Sequence, residues 1–238
     1  MGLAKAARAR GGVLAIEPQP AIYRITCANL ALNALTDVAS WQVGCGAQAG
    51  SMRVPLIDYQ ARSLHNSDAA EGISIGHTRR TAGVHALRRQ ETGATAPQSG
   101  GNSLESGGVG LPVSIVPLDE LGRDLPSLRL SKVDVEGMEL TLPEGARGLI
   151  QKHRPLLYVE HDRLEKSQSL IQWILDAQYR LRWPLPPLFN PENYFGVTEN
   201  IYGPVVSINV FCSPREMGLP MTKTMVEITD PAFHILHQ

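Results

Sequence analysis

Residues 130–140 read LSKVDVEGMEL, a short apolar strand that ends in two carboxylates, Asp134 and Glu136. Gly137 follows, and then a stretch of helical pattern. Open α/β sheets bind ligands in the crevice outside the carboxyl ends of their strands. The two acids are therefore expected on the rim of such a crevice, and the fold follows from what flanks them.

Downstream, the expected helix carries Leu142, Ala146, Leu149 and Ile150 at i, i+4, i+7 and i+8, with Pro143 tolerated in its first turn. Arg154-Pro155 leads into a buried-type strand, 156–159, that again ends in an acid, Glu160. Ser169 and Gln172 have the spacing of a capping box for a helix over 170–178, with Ile171, Ile174 and Leu175 as its inner face. Tyr179–Trp183 is a further strand. Residues 183–196, WPLPPLFNPENYFG, are too apolar for an ordinary linker and suit a lid or substrate wall as well as a rigid loop packed on the sheet. A last strand is expected over 205–212, and the tail after Pro214 is weakly patterned, as for a segment lying over the surface or fraying.

Upstream, 111–116 is a strand, and Pro117–Leu121 starts a helical turn with Asp119 and Glu120 where the helix dipole favours them. Residues 66–110 are rich in Ser, Gly, Thr, Gln and His, SGGNSLESGGVG being the extreme, and predict a long flexible insert within one domain. Its Arg79-Arg80 and Arg88-Arg89 pairs suit a solvated loop better than an anion site. Met52–Leu56 is an edge segment, because Pro55 does not fit a central strand. Gly44, Gly46 and Gly50 punctuate a loop after a strand within 38–43. A helix begins at Pro20, with Ile25, Ala28, Leu32 and Leu35 forming the expected apolar stripe. Before it, Val13–Ile16 is a strand closed by Glu17-Pro18, and residues 2–9 are a short helix ended by Gly11-Gly12.

Alternating strands and helices with short connections predict an α/β fold, a Rossmann-like doubly wound and mostly parallel sheet. One domain is expected over 1–214, with 215–238 as a C-terminal tail. Strands that run the same way would gather Glu17, Asp134 with Glu136, and Glu160 on one sheet edge. Carboxylates there can bind ribose hydroxyls, hold a divalent cation or act as a general base. Glu17 stands where nucleotide-binding folds place a ribose acid, although a solvated strand-end glutamate fits equally well. An NAD-type oxidoreductase would need a GxGxxG turn, which is missing. His153 and His161 are read as structural more readily than as bases.

The 238 residues have a formal net charge of -1, which excludes a general electrostatic pull toward nucleic acid or anionic membrane. Cys27, Cys45 and Cys212 form neither a CxxC pair nor a disulfide framework, as in a reduced cytoplasmic protein. No apolar run reaches the ~18 residues of a membrane span. The N-terminus is basic but lacks the apolar core of a secretory signal. No spacing assigns a metal.

AIEPQPAIYRITCANLALNAL, SKVDVEGMELTLPEGA, RPLLYVEHDRLEKS and the downstream LPPLFNPENYFG with VSINVFC resemble, in that order, the FkbM-type methyltransferases. The resemblance covers most of 11–214 outside the insert. It implies a class I methyltransferase fold that uses S-adenosylmethionine and methylates a hydroxyl of a small molecule or glycan. It implies that Glu17, with Gln19 and Pro20, holds the cofactor ribose, that Asp134 and Glu136 lie beside cofactor and acceptor, and that Glu160 lines the acceptor side. The chain departs from the pattern at its start. The strand and acid-x-Gly-Ala-Asn-x-Gly turn that cradle the cofactor's methionine end do not precede GLAKAARARGGVLAIEP. Either the true start lies upstream, or the chain is an N-terminally truncated relative with impaired cofactor binding; a methyltransferase and a non-enzymatic binding protein that keeps the fold are the two readings expected. Pro143 and the stretch HNSDAAEG, where an aromatic-glycine segment is expected, are smaller departures.

Overall fold

The computed structural model of the chain describes residues 2–8, 11–54, 110–134, 144–160, 164–193, 196–220 and 225–232. They fall into two units: the described residues up to 54 with 110–124 and 144–148, and the described residues 125–134 with those from 149 onward.

The first unit opens with α1 (Gly2–Ala7), β1 (Val13–Ile16), α2 (Pro20–Leu32) and β2 (Val38–Trp41). β1 and β2 pair in parallel from Val13↔Val38 to Ile16↔Trp41, with α2 as the crossover that parallel pairing requires. Pro20 stands at the start of α2, where its fixed φ suits a helix and its missing N–H costs nothing. The expected stripe of α2 is corrected: Ile25 is 50% and Leu32 84% exposed. The inward face is Tyr23, Cys27 and Leu30 at i, i+4 and i+7. It is phased by the Tyr23 hydroxyl, which donates to the Ser40 carbonyl at 3.2 Å, and by Cys27 Sγ, 3.6 Å from Ser40 Oγ. Leu30 joins Ala4 and Leu35 in a small core flanked by Val13 and Val38.

The expected glycine loop is also corrected. Gly44–Cys45 forms β3 and Gly50–Val54 forms β4, on either side of β5 (Leu111–Val116). Gly44 is required by the close approach of β5, since a Cβ there would come 2.7 Å from Ile115 Cδ1. β4 is an edge strand, as expected for Met52; Pro55 and Leu56 lie outside the described residues. After β5 comes α3 (Leu118–Leu121). Asp119 Oδ2 accepts from the Gly148 N–H at 2.8 Å, and so caps the first turn of α4 (Arg147–His153). The insert expected over 66–110 lies, apart from Gly110, outside the described residues.

The second unit holds a five-stranded sheet in the order β10-β8-β9-β7-β6. Its strands are β6 (Leu130–Val133), β7 (Leu156–Glu160), β8 (Tyr179–Trp183), β9 (Asn209–Pro214) and β10 (Val226–Ile228), with α5 (Leu164–Asp176) between β7 and β8. β6 and β7 are parallel, and β9 is antiparallel to both β7 and β8. Hence β6, β7 and β8 point the same way. β9 enters reversed because its connection from β8 is a loop that folds back, not a helical crossover. One sheet face is buried along its three inner strands: Leu157 and Val159, Val210 and Cys212, and Tyr179, Leu181 and Trp183. α5 packs against β8, and Leu170, Ile171 and Ile174 are buried with this core. Burying each such aliphatic side chain stabilises the fold by about 1.5–3 kcal/mol.

Arg154 ties this unit together. It follows α4 in the left-handed region, at φ 48°. Its guanidinium donates to both Glu216 carboxylate oxygens, at 2.7 and 3.1 Å, and to the carbonyls of Ala177 and Gln178 beyond α5. It also lies over the Tyr179 ring, 4.5 Å from the centroid.

Three further expectations are corrected here. α5 begins before Ser169, so no capping box exists there, and Gln172 instead donates to Asp176 Oδ1 at 2.8 Å. The last expected strand is shifted: β9 runs over 209–214, and Val206 belongs to an isolated bridge with Pro187. The tail supplies β10, paired antiparallel to β8 from Val226↔Trp183 to Ile228↔Leu181.

Candidate functional site

The β6–β7 register ends at Val133↔Val159, so Asp134 and Glu160 leave two adjacent parallel strands at the same level. Lys132 and Asp134 project to one side, as alternating residues do, and pair at 2.6 Å from Lys132 Nζ to Asp134 Oδ2. Lys132 is in register with Tyr158, and Tyr158 with Phe211 on β9. Glu160 stands directly opposite Asn209. The opposite pattern, Val133, Val159 and Val210, belongs to the core side. The sheet thus carries a cross-strand row of Asp134, Glu160 and Asn209 at its carboxyl edge, with Lys132, Tyr158 and Phe211 one row below.

Burial raises the Tyr158 phenol above its ordinary pKa, and the charge of Glu160 adds to the shift. Tyr158 therefore stays a neutral hydroxyl beside the Glu160 carboxylate at physiological pH. Asn209 is buried and its Nδ2 donates to Ser207 Oγ at 2.7 Å, which fixes the amide beside Glu160. This row can accept a proton, hold a hydroxyl by hydrogen bonds and, through Asp134, carry a fixed negative charge.

Glu17 ends β1 in the first unit, in a different sheet from Asp134 and Glu160. Its backbone N–H continues the parallel pairing to the Trp41 carbonyl at 3.1 Å. Its carboxylate turns back to accept the Gln19 N–H at 2.7 Å through Oε1. That bond shapes the turn into α2, with Gln19 as its N-cap position and Pro20 as its first residue. An ionised carboxylate offers about four acceptor sites, which is the chemistry that hydroxyl donors such as those of a ribose require, and the bond from the Gln19 N–H uses one of them.

Glu136 and His161 lie outside the described residues, as do Arg79-Arg80 and Arg88-Arg89. His153 is half-buried at the end of α4, and its Nε2 is a buried atom with no partner. Burial pushes the Cys45 thiol up to about 11 and the Cys212 thiol higher still, so neither is a thiolate nucleophile near neutral pH. Among the described residues no group of three or more His, Cys, Asp and Glu could hold a metal ion, and no helix is long and apolar enough to cross a membrane. Sequence reasoning missed Asn209, Ser207 and Lys132. The polar alternation Ser207-x-Asn209 inside an otherwise apolar run was the available signal.

A family profile described as "Methyltransferase FkbM domain" matches residues 2–181. The chain belongs to the FkbM methyltransferase family. The expected α/β class and the family resemblance both stand. Among solved structures it is similar to the crystal structure of methyltransferase FkbM from Methylobacillus flagellatus KT, at 16% identity and a TM-score of 0.47. That alignment covers 89% of this chain but 39% of the other, so the chain spans well under half of that protein's length. Comparison with curated proteins gives no match. A methyltransferase family implies a methyl donor.

Proposed function

We propose that this chain transfers a methyl group from S-adenosylmethionine to a hydroxyl oxygen of a small molecule or glycan, in the cytoplasm. The observation that carries this reading is the alignment of Asp134 with Glu160 at the carboxyl ends of β6 and β7, in a member of a methyltransferase family. S-adenosylmethionine would supply an electrophilic methyl carbon on a sulfonium. Glu17, with Gln19 and Pro20 shaping the turn, would hold the ribose hydroxyls. Glu160 would accept the proton of the acceptor hydroxyl, with Asn209 and Tyr158 around it. Asp134, paired to Lys132, would remain ionised and orient the acceptor, and family resemblance adds Glu136 to that side. Buried, reduced Cys45 and Cys212 support the cytoplasmic assignment.

Calorimetric titration of the chain with S-adenosylmethionine tests the donor, and Glu17→Ala should weaken its binding by about tenfold or more. With radiolabelled donor and a panel of hydroxyl compounds, Glu160→Gln should slow transfer by about 100-fold and leave donor affinity intact. Absence of binding up to millimolar donor would count against an enzyme and favour a fold-retaining binding protein.

A further inference from the structure

The segment between β8 and β9 emerges at the sheet edge that carries Asp134 and Glu160, because β8 runs in the same direction as β6 and β7. Its two arms are joined at the root. Leu188 N–H donates to the Val205 carbonyl, Ser207 N–H donates to the Pro186 carbonyl, and Pro187 bridges Val206. Beyond the root, asparagine side chains hold the backbone. Asn193 bonds the Val197 N–H and carbonyl, at 3.0 and 2.6 Å. Asn190 accepts from the Glu192 N–H, and Asn200 accepts from Tyr202 N–H while donating to the Gly203 carbonyl. These bonds fix the backbone of the described residues on either side. Even so, the segment presents Ile201 (73% exposed), Val197 (50%), Leu188 and Tyr202 to solvent. Four of the twelve large exposed apolar side chains among the described residues fall on this one segment, whereas single ones scattered over a surface need no explanation. The charges on 184–208 are two carboxylates, Glu192 and Glu199, with no lysine or arginine.

We propose that this segment recognises the methyl acceptor, and that the acceptor is a hydroxyl compound with an apolar, non-anionic moiety next to the hydroxyl. The inference rests on the reading of Glu160 as the acceptor-side base. Leu188, Val197, Ile201 and Tyr202 cover the apolar moiety, and the hydroxyl reaches the Asp134–Glu160–Asn209 row. Glu192 and Glu199 disfavour phosphorylated acceptors.

The test uses the full chain with isotope-labelled Ile, Leu and Val methyl groups. The probes are n-octyl β-D-glucopyranoside below its micelle concentration, methyl β-D-glucopyranoside and n-octyl phosphate. Octyl glucoside should shift the Ile201 and Val197 methyl signals and bind about tenfold or more tightly than methyl glucoside. Octyl phosphate should bind about threefold or more weakly than octyl glucoside. The double variant Val197→Ser/Ile201→Ser should lose about tenfold in octyl glucoside affinity while its folding and its S-adenosylmethionine affinity remain. Equal binding of both glucosides, unchanged affinity in the double variant, or equal binding of octyl phosphate overturns the inference. So does tighter binding to phosphatidylcholine vesicles than to monomeric octyl glucoside, which assigns the surface to a membrane. Donor binding without loop-dependent octyl glucoside binding defeats this inference alone. Octyl glucoside binding through Ile201 and Val197 without donor binding defeats the methyl-transfer reading and the acceptor role with it, and leaves the segment a binding surface for apolar hydroxyl compounds.

Discussion

The two units bury their sheets differently. In the second, β7, β8 and β9 carry an unbroken buried face, with Tyr179, Leu181, Trp183, Val210 and Cys212 sealed beside α5. The first unit is divided: Met52, Val54, Val113 and Ile115 are buried in its β3-β5-β4 sheet, whereas all four residues of β1 are half-buried and the cluster of β1 with α1 and α2 has three buried members, Ala4, Leu30 and Leu35. Stability should therefore be uneven: Glu160 leaves a strand with a buried face, whereas Glu17 leaves a strand whose residues are all half-buried. Ligand-binding elements are often drawn from the less stable part of a fold.

The contrast is most exposed by core truncation. Ile174→Ala, in the second unit, should cost about 3–4 kcal/mol in denaturant unfolding, whereas Leu30→Ala in the first should cost about 2 kcal/mol, because its site is shallower and collapses more easily. Equal costs would break the comparison. Ion pairs sharpen it at a smaller scale. Arg154→Met removes a bidentate carboxylate pair, two carbonyl bonds and an aromatic contact, and should lower Tm by about 3–8 °C. The exposed Arg8–Asp37 pair of the first unit, at 3.8 Å, should lower it by less than about 2 °C when Arg8 becomes Ala.

The smallest effect is pH-dependent. The Arg154 guanidinium holds the Glu216 carboxyl down at about 2, and Arg180 holds Glu227 below its usual range. A depressed folded-state pKa adds stability above the unfolded value near 4.5, and that stability disappears as the pH falls through about 2. Melting curves of the native chain and of Glu216→Gln should therefore differ most above about pH 5 and converge toward about pH 2. A gap that stays constant across that range would show that the pair does not titrate as described.

Much of the architecture was legible residue by residue. Val13–Ile16, Leu111–Val116 and Tyr179–Trp183 are strands within the limits expected, since each is a short apolar or alternating run between turn residues. The phase of α2 was not legible. Its apolar residues suit more than one face, and the bond from Tyr23 to Ser40 on another element selected the face that packs. The glycines at 44 and 50 suggested a loop, but β5 recruits them into strands from far along the chain. Of the candidate site, Asp134 and Glu160 were legible because each follows an apolar run. Asn209 was not, because its importance lies in a cross-strand pairing.

By itself the sequence determined the α/β class, the family, and the strand-end positions of Glu17, Asp134 and Glu160, because local periodicity and turn chemistry act within a few residues. Only the tertiary structure decided which acids share a sheet edge, that β9 runs in reverse between β7 and β8, and that Val226–Ile228 closes the sheet as β10. It also buried Arg182, against Ser213 and the Leu219 carbonyl, in a strand whose alternation alone would place it in solvent. Pairing between strands depends on backbone groups that every residue carries, so it is settled by contacts distant in the chain rather than by the residues of the strand alone.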